Sequence, residues 1–101
     1  MMAEAFRDIA LSFAGTSEQP HFERTAFRVR RIYATVPPDG LSANLCLDPD
    51  GQDHFVSLRP DLFSKVPNKW GDRGWTRLAL PSADPDVVMS ALLHAWRLAA
   101  A

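Results

Sequence analysis

Thr25-Ala26-Phe27-Arg28-Val29-Arg30-Arg31-Ile32-Tyr33-Ala34-Thr35-Val36 is the stretch on which the fold turns. Within Thr25–Arg30, Phe27 and Val29 point one way and Arg28 and Arg30 the other, the period-two pattern of a half-buried strand. Ile32–Val36 is rich in β-branched and aromatic residues and reads as a second strand. The gap between them predicts a hairpin turning near Arg30 and Arg31. That turn lacks the Gly, Asn or Asp that marks a tight two-residue loop. A hairpin at this point commits the chain to an antiparallel sheet.

Reading downstream, Pro37-Pro38-Asp39-Gly40 is a turn, and Leu41–Leu47 alternates again as a third strand. Asp48-Pro49 is a helix start, with Phe55, Leu58 and Leu62 on a short helix that Pro60 ends. Phe63–Val66 is a short strand, and Pro67–Gly74 a loop with two glycines. Trp75–Leu80 alternates as a further strand, with Trp75, Arg77 and Ala79 opposite Thr76, Leu78 and Leu80; burial of the large ring makes Trp75 the core residue. Asp84 and Pro85 open a last helix that lines up Val88, Leu92, Trp96 and Ala99. Upstream, Phe6, Ile9, Ala10 and Phe13 fall on one face of a helix over Ala3–Phe13, stopped by Gly15, and Thr16–His21 reads as a polar loop. The expected fold is α+β: an antiparallel sheet of about four to five strands with helices packed on one face.

The 101 residues fit one domain over residues 1–101, and 47% apolar content is enough for one core. A lone cysteine, Cys46, excludes an intrachain disulfide. Met1–Phe13 lacks the basic start and continuous apolar run of a signal peptide, and no stretch is long and apolar enough to span a membrane, so the expected location is cytoplasmic.

Several segments in order, His21-Phe22, Ala26-Phe27-Arg28-Val29, Ile32-Tyr33-Ala34-Thr35, Leu45 with Asp48-Pro49, Lys69-Trp70-Gly71, Gly74-Trp75-Thr76 and Ala95-Trp96-Arg97, resemble the MmcQ/YjbR-like family over nearly the whole chain. The resemblance implies a compact α+β fold similar in shape to double-wing DNA-binding domains, and with it a DNA-binding role. The chain departs from the family pattern at Cys46, where many members carry lysine.

Charge is unevenly placed. His21–Tyr33 holds four arginines and one acid, and Arg59–Arg77 five cations and two acids, in a chain whose net charge is −1. If these two local +3 segments meet, they offer a patch to a phosphate backbone, with Trp70 and Trp75 able to stack on bases. The candidate nucleic-acid-binding residues are therefore Arg28, Arg30, Arg31, Lys69, Trp70 and Arg73. The plainer alternative is a solvated face of ordinary arginines. The glycines of Lys69–Thr76 also suggest backbone N–H groups free to approach an anion, though without P-loop spacing.

His21, His54, His94 and Cys46 show no metal-ligand spacing, and Asp48, Asp50 and Asp53 form only a fragment of a calcium loop, better read as turn and helix-start residues. No nucleophile elbow, carboxylate pair or dinucleotide fingerprint is present. The expectation is a non-catalytic module with no cofactor and no metal, with DNA as partner. The alternative is a protein-interaction or small-ligand module without affinity for nucleic acid.

Overall fold

The computed structural model describes all 101 residues. In chain order the elements are α1 (Ala3–Ser12), β1 (Ser17–His21), β2 (Arg24–Arg28), β3 (Ile32–Val36), β4 (Ser42–Cys46), α2 (Pro49–Leu58), β5 (Phe63–Lys65), α3 (Lys69–Asp72), β6 (Trp75–Ala79) and α4 (Pro85–Ala100). The strands form one open sheet in the order β1-β2-β3-β4-β6-β5, every pair antiparallel. The α+β reading holds, and the sheet has six strands rather than four or five.

The extra strand is β1, which the sequence presents as a polar loop. Its residues, Ser17-Glu18-Gln19-Pro20-His21, pair with Arg28 back to Arg24 at the sheet edge. An edge strand needs no apolar row, and Pro20 has no ladder donor to lose on the outer side. The other departure is α3, a single turn inside the expected loop, capped by the Asn68 side chain accepting from Trp70 N–H.

The β2–β3 connection is not a tight two-residue turn. Pairing runs Ala26↔Thr35 and Phe27↔Ala34, then shifts to Arg28↔Ile32, so Tyr33 is an extra residue on β3. A bulge turns its residue onto the face of its neighbour. Tyr33 accordingly lies buried on the helical side, its Oη donating to the Ala10 carbonyl at 3.2 Å and sharing a 2.8 Å hydrogen bond with Thr16 Oγ1. Burial pushes the phenol's pKa up.

Nineteen buried apolar residues make one cluster between the sheet and the helices. Phe6 of α1 meets Phe27 edge to face at 6.0 Å, and Phe55 of α2 lies against Phe63 of β5 at 5.3 Å. Val88, Ala91, Leu92, Ala95 and Ala99 of α4 close the layer. Two residues depart from the expected pattern. Leu58, at the end of α2, is exposed. Trp75 is only half-buried; at its end of β6 it is Thr76, next in the alternation, that faces the helices and is fully buried. Trp96 stacks on Phe13 at 5.9 Å and donates its indole N–H to the Ala14 carbonyl.

Candidate functional site

Strand partners share a face, so the register assigns every side chain to one side of the sheet. Phe27, Ala34, Leu45, Leu78 and Phe63 face the helices. The opposite face carries Arg24, Arg28, Thr35, Asn44, Cys46, Trp75 and Arg77 and is covered by no helix. Small residues floor it: Ala26 and Thr35 are buried beneath longer neighbours. Arg24 lies across them, its Nε donating to Thr35 Oγ1 at 2.9 Å. Burial lowers the Arg24 pKa; the nearby charges of Glu23 and Asp39 raise it, and the Arg77 charge, the smallest of these effects, lowers it, so the two cations on β2 and β6 sense one another across the sheet.

Of the eleven lysines and arginines, three sit in ion pairs: Arg7 with Glu18, Arg59 with both Asp61 and Asp84, and Lys65 with Asp72. Arg59 and Lys65 therefore drop out of the second basic segment. The other eight have no acidic partner within ion-pair distance, and seven of them fall in Arg24–Arg31 or Lys69–Arg77. Solvent-exposed pairs of this kind contribute little to stability, but they do neutralise the cation that makes them.

The six candidate residues fall into two groups. Lys69, Trp70 and Arg73 are together. The Trp70 ring, 47% exposed, has the Lys69 ammonium 5.7 Å and the Arg73 guanidinium 5.1 Å from its centroid. Arg73 also reaches a cleft of about 290 Å³ that it shares with Arg31, Cys46, Asp48 and the end of α4. Through this cleft the two basic segments meet. Arg31 has a structural task as well: it donates to the Leu98 carbonyl, one of the last carbonyls of α4, which have no partner within the helix. Arg28 and Arg30 are exposed, Arg28 on the open face and Arg30 in the β2–β3 turn.

Cys46 lies beside Arg31. Burial raises its pKa and the arginine offsets that only in part, which leaves the thiol protonated at neutral pH. Asp48 closes the same cleft but directs its charge elsewhere. As N-cap of α2 its Oδ1 accepts from Gly51 N–H at 2.8 Å and meets His94 Nε2 of α4 at 3.1 Å. The Gly51 N–H, then His94, holds its carboxyl below the usual carboxylate range.

The glycine loop does not offer its backbone to an anion. Trp70 and Gly71 N–H groups bond to Asn68, Arg73 N–H to Trp70 O and Gly74 N–H to Gly71 O. The glycines serve close approach instead: a Cβ at Gly71 would stand 1.8 Å from the Val66 carbonyl oxygen, and one at Gly74, where φ is +116°, 2.0 Å from that of Leu47. Gln52 is a positioning residue that the sequence does not signal. Buried in α2, its Nε2 donates to Gly71 O and Trp75 O, both at 3.0 Å, and to Thr76 Oγ1 at 3.2 Å. It thereby ties the loop bearing Lys69, Trp70 and Arg73 to the helical layer. A polar residue one turn inside a helix start is ordinarily solvated, so nothing in the pattern marks it.

No family model matches the chain, and no curated protein matches it. Solved structures do. Deinococcus radiodurans protein DR2400, with family-model domain DUF419, matches with a TM-score of 0.78 at 19% identity over 96% of this chain and 77% of that one. A Pseudomonas syringae protein matches with a TM-score of 0.69 at 16% identity over 98% of this chain and 99% of that one. At these identities the likeness is one of fold: a small α+β domain built like the DUF419 structure. No helix of the chain is long and apolar enough to cross a membrane.

Proposed function

We propose that the chain is a non-catalytic, cytoplasmic domain of the MmcQ/YjbR-like family that binds nucleic acid, DNA foremost, through the open sheet face and the Arg31–Arg73 end of it. One observation carries this reading: seven of the eight cations without an acidic partner lie in the two segments that build this face and this end. Such a field attracts a polyanion although the whole chain carries a net charge of −1. Trp70, exposed between two cations, adds a surface on which a base stacks.

Fluorescence-anisotropy titration of labelled DNA at low and moderate salt tests the reading. The expected result is affinity that falls steeply with salt, with Arg28→Ala, Arg30→Ala, Lys69→Ala and Arg73→Ala each weakening it and lowering the salt slope by about 1. A chain that binds no DNA even at low ionic strength refutes it. A second reading rests on the cleft of about 290 Å³: the Arg31 and Arg73 guanidiniums over an otherwise mostly apolar lining suit one small anionic ligand with an apolar part. Saturable binding of such a ligand, with no binding of DNA, selects that reading.

A further inference from the structure

Phe22 is the residue least explained by the fold. It sits at the tip of the β1–β2 hairpin, in a two-residue turn between the paired His21 and Arg24. Its ring is 91% exposed, the most exposed of the large apolar side chains. Its φ of +58° makes it the one non-glycine residue in the left-handed region. Glycine or asparagine would satisfy that turn without strain and without placing a phenyl ring in water. The chain instead accepts an unfavourable backbone and an unfavourable surface at one position, a combination that points to a use outside the fold. The ring's aromatic neighbour is His21, edge-on at 4.9 Å.

The surroundings indicate what the ring meets. β2 leads from this tip to the β2–β3 turn, so Phe22 and the Lys69-Trp70-Arg73 group stand at opposite ends of the sheet. By strand spacing and rise the diagonal between them is about 25 Å. Arg24, Arg28 and Arg77, all without acidic partners, lie on the face between. Two exposed aromatics separated by a cationic floor match a strand whose charged backbone runs over the face while its bases stack at either end. Seven of the eight free cations belong to strands, turns and one helical turn, none of them a helix long enough to fill a major groove; Arg97 alone stands on a long helix, α4, outside the two basic segments. A base must also be unstacked to offer its face to a phenyl ring.

Resting on the nucleic-acid reading above, we propose that Phe22 is a base-stacking platform and that the preferred ligand is single-stranded.

The test uses the whole chain with three probes: a fluorescein-labelled oligothymidylate of about 12 nucleotides, within the span of single-strand sites, the same oligomer with abasic positions, and a duplex of equal length. Phe22→Asn, which suits a positive φ, is expected to bind the single strand about 10-fold more weakly, as for the loss of one base stack. Its salt slope should be unchanged and its melting temperature equal or higher. Phe22→Trp should retain the affinity, and its added indole should be quenched on binding. On the abasic oligomer the wild type and Phe22→Asn should converge. The proposal is overturned if Phe22→Asn binds the single strand as tightly as the wild type, or if the duplex binds better. It is equally overturned if anionic vesicles bind through Phe22 while oligonucleotides do not. If the wild type binds neither nucleic acid at any salt, the reading beneath it falls too. That result is distinct from salt-dependent binding that ignores Phe22.

Discussion

Two neighbouring rows of side chains cross the same six strands and face opposite ways. One row reads Glu18, Phe27, Ala34, Leu45, Thr76, Lys65, and the other Gln19, Ala26, Thr35, Asn44, Arg77, Ser64. In the first, charge is confined to the two edges and the four central residues are buried under helices. In the second there is no large apolar side chain at all, and the residue one strand in from the β5 edge is an arginine. The backbone hydrogen bonds are common to both rows, so the sheet itself cannot account for the difference. The covered row drives folding by removing apolar area from water. The open row contributes little to that, and is free to carry the charge a ligand would read.

The contrast is broken most directly by truncating one residue from each side at adjacent positions. Phe27→Ala removes a fully buried ring in contact with Phe6, and should cost about 3–5 kcal/mol of unfolding free energy. Arg28→Ala removes an exposed cation and should change stability by less than about 0.5 kcal/mol, while weakening DNA binding. Denaturant melts of both variants, with the binding titration, separate the two roles. Equal losses of stability would show that the open face is structural after all.

The sequence shows the covered row far better than the open one, for a physical reason. Alternation in β2, β3, β4 and β6 is legible because burial of one side imposes it. β1 is illegible because its inward residue is Glu18, which meets Arg7 of α1 in an ion pair rather than the core, so no apolar period appears. At Trp75 the alternation is legible but its direction is not. Size favours burial of the indole, yet the covered position at that register belongs to Thr76, whose hydroxyl is satisfied inside by Gln52 and Gly74 O. The bulge at Tyr33 hides in the same way, since a period-two reading places it on the open face. Of the candidate site, the two basic segments are visible as composition, but the loss of Arg59 and Lys65 to acids depends on tertiary pairing. Phe22 is visible as a letter and not as a strained, exposed tip.

Gln52 sharpens the comparison, because it is the polar residue through which the covered side holds the loop of the open side. Gln52→Leu keeps the volume and removes the donor, leaving Gly71 O, Trp75 O and Thr76 Oγ1 without it. Each keeps another bond, Gly71 O from Gly74 N–H, Trp75 O from Val66 N–H and the Thr76 hydroxyl to Gly74 O, so stability should fall by about 0.5–1.5 kcal/mol, the range for a lost hydrogen bond rather than for an orphaned acceptor. Hydrogen exchange should quicken over Trp70–Thr76 more than over β2 and β3. An unchanged exchange pattern would mean that the close packing of Gly71 and Gly74 holds the loop by itself.

Within the helical layer the smallest effect is expected at Asp48, the acid standing where the two sides meet. Its carboxyl lies in the cleft with Arg31 and Arg73, yet its bonds run to Gly51 N–H and His94 in the helical layer. The folded state holds its pKa below the ordinary value. Its contribution to stability is therefore complete above the usual carboxylate pKa of about 4, and is lost as pH falls through the lower folded value. Asp48→Asn keeps an oxygen to cap α2 and removes the charge. With the side chain nearly half exposed, the loss at neutral pH should sit near the lower end of about 0.3–1 kcal/mol, and the two proteins should converge in acid. Urea melts from pH 7 to pH 2 measure the gap, and a gap independent of pH would contradict the assignment. The same variant separates the two sides of the sheet. If the charge is held by the helical layer, oligonucleotide binding at neutral pH should barely change. If the charge instead serves Arg31 and Arg73, its removal should strengthen that binding, and the division between a covered side that folds and an open side that binds would fail at this residue.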